Sequence, residues 1–569
     1  MISILRQPIV FDGTSSPVKT TLFVIICAAW ILPGLIGHDP WKPDEAMVFG
    51  VINSMLRDGA WVVPTIAGTP THDYPPLYYW VAAMCARLFS AVLPLHDGAR
   101  LASGVFMAVA LTYSHRTAKR LFDERAGRIC VLLLIGCIGL LVRGHEMNPE
   151  LAGLAGLTIA LYGLTRIRSE PLKGGITTGI GSGIIAMSVG IVPALLPSLT
   201  AVVLMGIVRD WSNRTFARGI GIAVLVSLPF MLLFPALLIF VGQASLQPWA
   251  GTILGVPLTE IESRRALDIT YFVTVLPWFG LPALPFACWL WWKDRTRLRE
   301  RIELALPLAA FLTTLVLLSF TRRASDAVAV ALLVPLALAA ANTLDRLPRG
   351  LASFLDWFGL VFFGLAAVAA WLYWTAAITG FPEAAARAVA RQAPGFAFSF
   401  QAIPFSIACA LTLVWAYAVA RAHRNNRRAI VNWAAGITLV WVLPNLLALS
   451  AVNHVRTYRG VAAELSAQLP VSRNCISAQE LGDAQRALLD YFADLRFLPA
   501  TDPAAGRCEW HLTQGTRERV PVVAGPAPAA MVWEGARPGD NVERLRLYRR
   551  GQKHDESTPA AEYLRQSIR

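Results

Sequence analysis

Apolar residues fall in long unbroken runs, separated by short stretches rich in arginine and proline. The runs are roughly 16 to 24 residues long, the length a helix needs to cross a bilayer. They show none of the strict in-out alternation of barrel strands, so the predicted elements are membrane helices. Spans are expected at 20–37, 99–117, 127–143, 150–167, 176–190, 191–208, 219–242, 270–292, 303–319, 327–343, 351–378, 402–421 and 429–450. The first run has no small-residue cleavage pattern behind it, so it reads as a retained span.

Basic clusters near 115–128, 166–173, 209–218, 293–301, 345–349 and 421–428 mark one side of the membrane as cytoplasmic. Two spans then fit between successive clusters. The first interval breaks this parity unless the run 77–94 stays on the outer surface. Its Arg87 and its Pro75-Pro76 aromatic start fit a juxtamembrane helix. The result is about thirteen crossings, with the N-terminus inside and the C-terminus outside.

Beyond residue 450 the pattern changes. Strands are expected at 475–481, 508–514 and 542–548, and an amphipathic helix at 483–495. The predicted fold class is therefore an all-α polytopic membrane domain over 1–450, with a small periplasmic α/β domain over 451–550. Residues 551–569 read as a disordered tail.

Composition agrees with this reading. Of 569 residues, 55% are hydrophobic and 15% charged, and the mean hydropathy is +0.51. The net charge of +14 lies in short loops between spans, as the positive-inside rule requires, and is not a nucleic-acid footprint. Six of the eight cysteines lie in apolar runs and read as small packing residues. Cys475 and Cys508 lie in the polar C-terminal part and can pair if it faces an oxidising compartment.

The outward loops are expected at 38–98, 144–150, 243–269, 320–326 and 379–401, and candidate chemistry gathers on them. The first two carry His38, Asp39, Asp44, Glu45, His72, Asp73, His96, His145, Glu146 and Glu150. Arg143, Arg264, Arg265, Arg322 and Arg323 also fall on this side, against the charge rule, and a phosphate is their natural partner. Carboxylates beside guanidinium groups suit sugar transfer from a lipid phosphate. An acid deprotonates the acceptor or stabilises an oxocarbenium-like state, and cations stabilise the leaving phosphate. Blander readings compete. Asp44-Glu45 can be solvated loop charge, Asp73 a turn residue, Glu150 a helix N-terminal acid, and Arg322-Arg323 a span boundary. The histidine spacing matches no metal motif, and a divalent metal stays open.

The order of these features resembles the lipid-dependent membrane glycosyltransferases of the C-type fold. The likeness is to the bacterial branch of lipid A aminoarabinose transferases and protein O-mannosyltransferase relatives. It rests on Trp41-Lys42-Pro43-Asp44-Glu45-Ala46, Asp73-Tyr74-Pro75-Pro76-Leu77-Tyr78-Tyr79-Trp80, Gly98-Ala99-Arg100-Leu101-Ala102-Ser103 and Lys119-Arg120-Leu121-Phe122-Asp123. It is good over residues 20–165, weaker to 345, and architectural beyond. The resemblance implies Asp44 as the catalytic carboxylate, with Glu150 as a second-loop acid (Asn148 if the alignment slips by two) and Asp73 in support. Arg322 and Arg323 are implied to meet the donor phosphate, and Glu45, Tyr74, Arg143, Arg264 and Arg265 complete the expected binding set.

Two family lysines are replaced, by Tyr74 before Pro75-Pro76 and by Val189 in Met187-Ser188-Val189-Gly190. The implied function is inverting transfer of a monosaccharide from a polyprenyl-phosphate donor to lipid A, a glycan or a protein at the periplasmic face of the inner membrane. A transporter or flippase of lipid-linked sugars and a non-catalytic scaffold are the alternatives. A flippase predicts ionisable residues at the bilayer midplane and repeat symmetry, and the sequence offers neither.

Overall fold

A computed structural model describes residues 17–208, 211, 213–242, 246–256, 269–321, 324–343, 349–421, 428–470, 475–499, 502–519 and 529–550. It is mostly helical, with strands concentrated near the C-terminus.

Five helices are long and apolar enough to cross a membrane: Arg214–Phe240, Ile302–Phe320, Ser353–Thr379, Ala402–Ala420 and Arg428–Leu447. A sixth span is formed if Ile269–Phe279 and Ala283–Lys293, bent by 105° at their junction, count as one. Within Ala402–Ala420 only 6% of the apolar window is buried by protein, as expected of a helix that faces lipid.

Three more expected runs, 99–117, 150–167 and 176–190, lie largely in continuous helices, Leu95–Leu121, Glu150–Ile167 and Pro171–Ser188, that fall outside this apolar set, and the rest are shortened or broken. The first helix, α1 (Pro17–Ile31), stops short of residue 37, because Pro33 and the left-handed Gly34 and Gly37 turn the chain. After α2 (Asp44–Asp58) the run at 77–94 is a short helix, α3 (Leu77–Phe89). It packs along α4 (Leu95–Leu121). The run at 127–143 breaks into α5 (Glu124–Gly136) and α6 (Ile138–Arg143) at an extended Cys137. Similarly, 191–208 and 327–343 each divide into shorter helical pieces. Hydropathy registers the apolar run but not the break within it.

The broken backbone is satisfied inside the protein, the condition under which a membrane tolerates it. The Ile138 N–H donates to the Leu281 carbonyl at 3.2 Å, so two breaks meet. Trp433 Nε1 donates to the Gly136 carbonyl at 3.0 Å. This junction sets the direction of α6, which carries Arg143 at its end. Next to it run α7 (Glu150–Ile167) and α8 (Pro171–Ser188), nearly in backbone contact. A Cβ on Gly156 would lie 2.7 Å from the Gly181 carbonyl oxygen, so only glycine fits there.

The C-terminal part forms a five-stranded sheet. Its strands are β3 (Ile476–Gln479), β4 (Leu498–Pro499), β5 (Trp510–Thr516), β6 (Ala529–Gly535) and β7 (Glu543–Arg550), following a small ribbon of β1 (Thr65–Ile66) and β2 (Thr69–Pro70). The sheet order is β4-β3-β5-β7-β6, parallel among β4, β3 and β5 and antiparallel across β7. The expected helix appears as Asp483–Ala493. The sequence reading missed β6, whose alternation is interrupted by a register shift between Met531 and Trp533. Cys475 and Cys508 are disulfide-bonded. The tail 551–569 lies outside the described residues.

This sheet unit does not stand apart. Ala46 of α2 lies in the same apolar cluster as Leu488, Leu512 and Leu547. Ion pairs reinforce the contact: Arg57 to Asp490 at 2.6 Å, Arg496 to Asp58 at 2.6 Å and Arg459 to Asp39 at 2.6 Å. The acid-bearing loop before α2 is thus clamped between the helices and the C-terminal sheet.

Candidate active site

The acid loop is built around one buried arginine. Arg100 of α4 is fully buried, and a buried guanidinium is tolerated only when its donors are paired. Its Nε donates to Glu45 Oε1 at 2.6 Å and its Nη1 to Asp97 Oδ1 at 2.7 Å. It also donates to the Leu35 and His38 carbonyls at 3.2 and 3.1 Å. Glu45 Oε2 accepts from the Trp41 N–H at 3.1 Å. Burial opposes ionisation of Glu45, yet the Arg100 charge and hydrogen bond hold its carboxyl below the usual range. At Asp39 burial likewise opposes ionisation, but Arg459 and Thr457 hold the carboxyl below its ordinary value.

Asp44 and Glu45 occupy the first turn of α2, where helix geometry rotates adjacent side chains about 100° apart. Glu45 therefore points into the knot and is 4% exposed, while Asp44 points out and is 57% exposed. Asp44 meets a second arginine instead. Arg143 Nη1 lies 3.2 Å from Asp44 Oδ2 and 2.8 Å from Glu146 Oε2, and its Nη2 lies 3.8 Å from Asp326 Oδ2. The other Asp326 oxygen accepts from the Tyr271 hydroxyl. Three carboxylates from three separate segments thus converge on one guanidinium.

Glu146 is the unusual member. Burial drives its pKa up to about 7; Arg143 opposes this, and the charges of Glu45 and Asp44 add to it. Its backbone is pinned from both sides. The Ser103 hydroxyl donates to the Glu146 carbonyl at 2.8 Å, and the Met147 N–H donates to Glu45 Oε1 at 3.5 Å. Asp44 and Glu146 sharing one cation, with Glu146 titrating near neutrality, form a pair able to accept and release a proton.

The other expected residues fall in different places. Glu150 stands in the first turn of α7, buried, its N–H donating to Asn148 Oδ1 at 3.0 Å. Asp73 sits in the loop after β2 and accepts from the Thr71 hydroxyl at 3.0 Å. The ring of neighbouring His72 faces Trp249 at 4.4 Å, and the Thr252 hydroxyl donates to the His72 carbonyl. Tyr74 packs beside the cluster that holds Tyr78 and Tyr79. Val189 lies against α7, within 2.5 Å of where a Cβ on Gly153 would be, so one family-lysine position is filled by packing. Arg264, Arg265, Arg322 and Arg323 lie outside the described residues.

Among the described residues no group of three or more His, Cys, Asp or Glu is arranged to hold a metal ion. Three of the candidate histidines are structural in their contacts. His145 is buried with both ring nitrogens 2.7 Å from the Leu141 and Trp30 carbonyl oxygens. Burial lowers His96 to about 4, so it is neutral at pH 7 despite Asp97 and Asp39. His38 stacks on Trp41 with ring centroids 4.1 Å apart.

Sequence reasoning gave no role to Arg100, Glu146 or Asp326. Glu146 was visible as one acid among many. Asp326 carried a signal, an acid placed where the apolar run at 327–343 begins. Arg100 stood in a stretch that carries the family resemblance, but nothing local gave it a role, because its partner Glu45 is 55 positions away.

Residues 73–240 match the family model described as dolichyl-phosphate-mannose-protein mannosyltransferase. The chain is 27% identical over 457 residues to the undecaprenyl phosphate-alpha-4-amino-4-deoxy-L-arabinose arabinosyl transferase of Pseudomonas aeruginosa strain LESB58, covering 76% of each chain. A relative of the same description from Pseudomonas fluorescens strain ATCC BAA-477 is 25% identical over 360 residues, 60% of this chain and 62% of that one. The fold matches ArnT from Cupriavidus metallidurans, solved bound to undecaprenyl phosphate, with a TM-score of 0.67 at 17% identity. That match covers 93% of this chain and 98% of that one. The same protein in the apo state matches with a TM-score of 0.64.

Proposed function

We infer that this chain, a multi-pass membrane glycosyltransferase of the C-type fold, moves one monosaccharide from a polyprenyl-phosphate-linked donor to an acceptor at the periplasmic face of the bacterial inner membrane. The observation that carries this reading is the convergence of Asp44, Glu146 and Asp326 on Arg143. An exposed carboxylate next to a guanidinium is what transfer from a lipid phosphate needs at its two ends.

In the proposed step the acceptor oxygen attacks the anomeric carbon from the face opposite the phosphate. Its bond to that carbon forms as the carbon–phosphate-oxygen bond breaks, and configuration inverts. Asp44 takes the acceptor's proton or stabilises the positive charge on the sugar ring. Arg143 stabilises the negative charge gained by the departing polyprenyl phosphate, and ionised Glu146, its pKa raised to about 7 by burial, takes up the proton and releases it to solvent. Arg322, Arg323, Arg264 and Arg265 remain candidates for the same phosphate. Glu150 and Asp73 support the site from α7 and from the loop after β2.

The name of the Pseudomonas relatives makes undecaprenyl phosphate carrying 4-amino-4-deoxy-L-arabinose the first donor to test. The thirteen-crossing topology, with a periplasmic C-terminal sheet, belongs to the same reading. A disulfide in that sheet suits an oxidising compartment.

The test is mass spectrometry of lipid A, surface polysaccharide and periplasmic proteins from cells carrying the chain or its Asp44→Asn variant. One fraction is expected to lose a sugar in the variant. An unchanged profile in all three, with the parent chain active, removes Asp44 from the chemistry.

A further inference from the structure

Asp44 owes its place to the backbone around it. Its side chain is 57% exposed, and among the described residues it meets one ionic partner, Arg143, at 3.2 Å. A side chain so loosely held takes its position from the turn that carries it. That turn is closed on itself. The Ala46 N–H donates to the Trp41 carbonyl at 3.0 Å, and the Met47 N–H to the Pro43 carbonyl at 3.4 Å. Whatever fixes the two ends of this turn therefore fixes Asp44.

The two ends are fixed by different parts of the molecule. After Asp44 the hold is Arg100, on Glu45. Before Asp44 it comes from the C-terminal part of the chain. Asn453 Oδ1 accepts from the Asp39 N–H at 2.9 Å and from Trp41 Nε1 at 3.1 Å. Lys42, two positions before Asp44, reaches Glu543 at the start of β7, 501 positions away. These two side chains are 20% and 12% exposed, so removing one charge leaves the other poorly solvated and unpaired.

Glu543 is itself held as a fixed point for that lysine. The Tyr458 hydroxyl lies 2.6 and 2.8 Å from its two oxygens, and Gln485 Nε2 donates to Oε1 at 3.1 Å. Its backbone N–H donates to Asp540 Oδ1 at 3.0 Å. Tyr458 is 1% exposed, and the centre of its ring lies 5.3 Å from Lys42 Nζ. Three donors and a tied backbone leave this carboxylate one orientation. Another ion pair across the same junction, Arg496 with Asp58, stands at the far end of α2 and does not touch the turn.

We propose that Glu543 is a positioning residue for the transfer step: through Lys42 it sets where the Asp44 carboxylate stands relative to Arg143. The C-terminal sheet thereby acts on the rate of the reaction, in addition to holding the loop. The inference rests on the transfer reading above and adds to it a residue that touches neither sugar nor phosphate. Misplacing a reacting group by about 1 Å costs on the order of 10²-fold in rate, so the effect falls on turnover. Arg143 stands on α6 and keeps Glu146 and Asp326, so donor affinity does not depend on Lys42.

The test uses the full chain in detergent. The donor is undecaprenyl phosphate carrying 4-amino-4-deoxy-L-arabinose, and the acceptors are lipid A, surface polysaccharide and periplasmic protein in turn. Glu543→Gln keeps the shape of the side chain and loses its charge, and Lys42→Met removes the other partner. Each is expected to lower kcat about ten- to a hundredfold at the parent donor KM, and the double variant to be no slower than the slower single. In an Asp44→Asn background Glu543→Gln should slow transfer no further, because the group it positions is gone. Arg496→Gln, which opens the junction away from Asp44, should lower the thermal midpoint and leave kcat unchanged.

Parental kcat in Lys42→Met overturns the inference, and this variant carries the comparison by itself if Glu543→Gln does not fold. An equal loss of kcat in the parent and Asp44→Asn backgrounds overturns it too, by making Glu543 a matter of stability alone. So does a fall in kcat for Arg496→Gln that matches the other two. Failure of the parent chain to transfer to any of the three acceptors overturns the transfer reading, and this inference with it, and is read before any variant is compared.

Discussion

Asp44 and Glu45 are neighbours in the chain and opposites in the structure. Each meets one arginine. Around Arg100 everything is buried and paired: two carboxylates, two carbonyls and no opening to water. Around Arg143 the pairing is loose, with contacts of 2.8, 3.2 and 3.8 Å to acids from three loops. The first arrangement fixes the backbone of the acid loop. The second leaves a carboxylate exposed and a guanidinium that an arriving phosphate can engage. On the proposed reading the same residue types serve as scaffold or as reagent, according to whether their charges are already satisfied.

The contrast is broken most severely at the buried knot. Arg100→Ala leaves Glu45 and Asp97 buried without their cation. A loss of about 3–5 kcal/mol is expected, typical of one partner removed from a buried pair, and visible as a large drop in the thermal midpoint of the detergent-purified chain. A midpoint within error of the parent would mean that the knot is not what holds the loop.

Opening the C-terminal clamp is next. Cys475→Ser with Cys508→Ser removes a cross-link spanning 33 positions and is expected to cost about 2–4 kcal/mol. Reduction of the parent chain should reproduce that loss, and should leave the double variant unaffected.

Arg143→Lys keeps the charge but loses the planar fork that matches a phosphate. Donor KM is expected to rise about tenfold, the worth of one charge-assisted bond, with the thermal midpoint little changed. An effect on stability alone would return Arg143 to a scaffold role.

The smallest effect concerns pH. Glu146 titrates near 7 because burial raises its pKa. Below that pH it is neutral. As pH rises through about 7 it ionises, and a further negative charge joins Asp44 and Asp326 at Arg143. Donor KM is therefore expected to increase severalfold from pH 6 to 8 in the parent, and to stay flat in Glu146→Gln. A parallel rise in the variant would assign the titration elsewhere.

How much of this could be read from residues alone depends on the range of the interaction. The strands at 475–481, 508–514 and 542–548 and the helix at 483–495 were legible because period and turn residues act locally. The loop 38–45 stood out because acids and prolines are conspicuous beside apolar runs. The breaks at Cys137 and near Pro282 were not legible, since each depends on a partner backbone far away in sequence. The inward turn of Glu45 is of the same kind: Asp44 and Glu45 look alike until Arg100, 55 positions on, is known to lie beneath one of them. Glu150 attracted attention as a span-start acid, whereas Glu146, four positions earlier, meets Arg143.

The account stands most directly on one paired measurement: initial transfer rate and thermal midpoint for Asp44→Asn and Glu45→Gln side by side. It predicts that Asp44→Asn loses about 10²–10⁴-fold in rate at the parent midpoint, and that Glu45→Gln lowers the midpoint. Near-parental transfer by Asp44→Asn, or a midpoint that falls with Asp44 and not with Glu45, would contradict it.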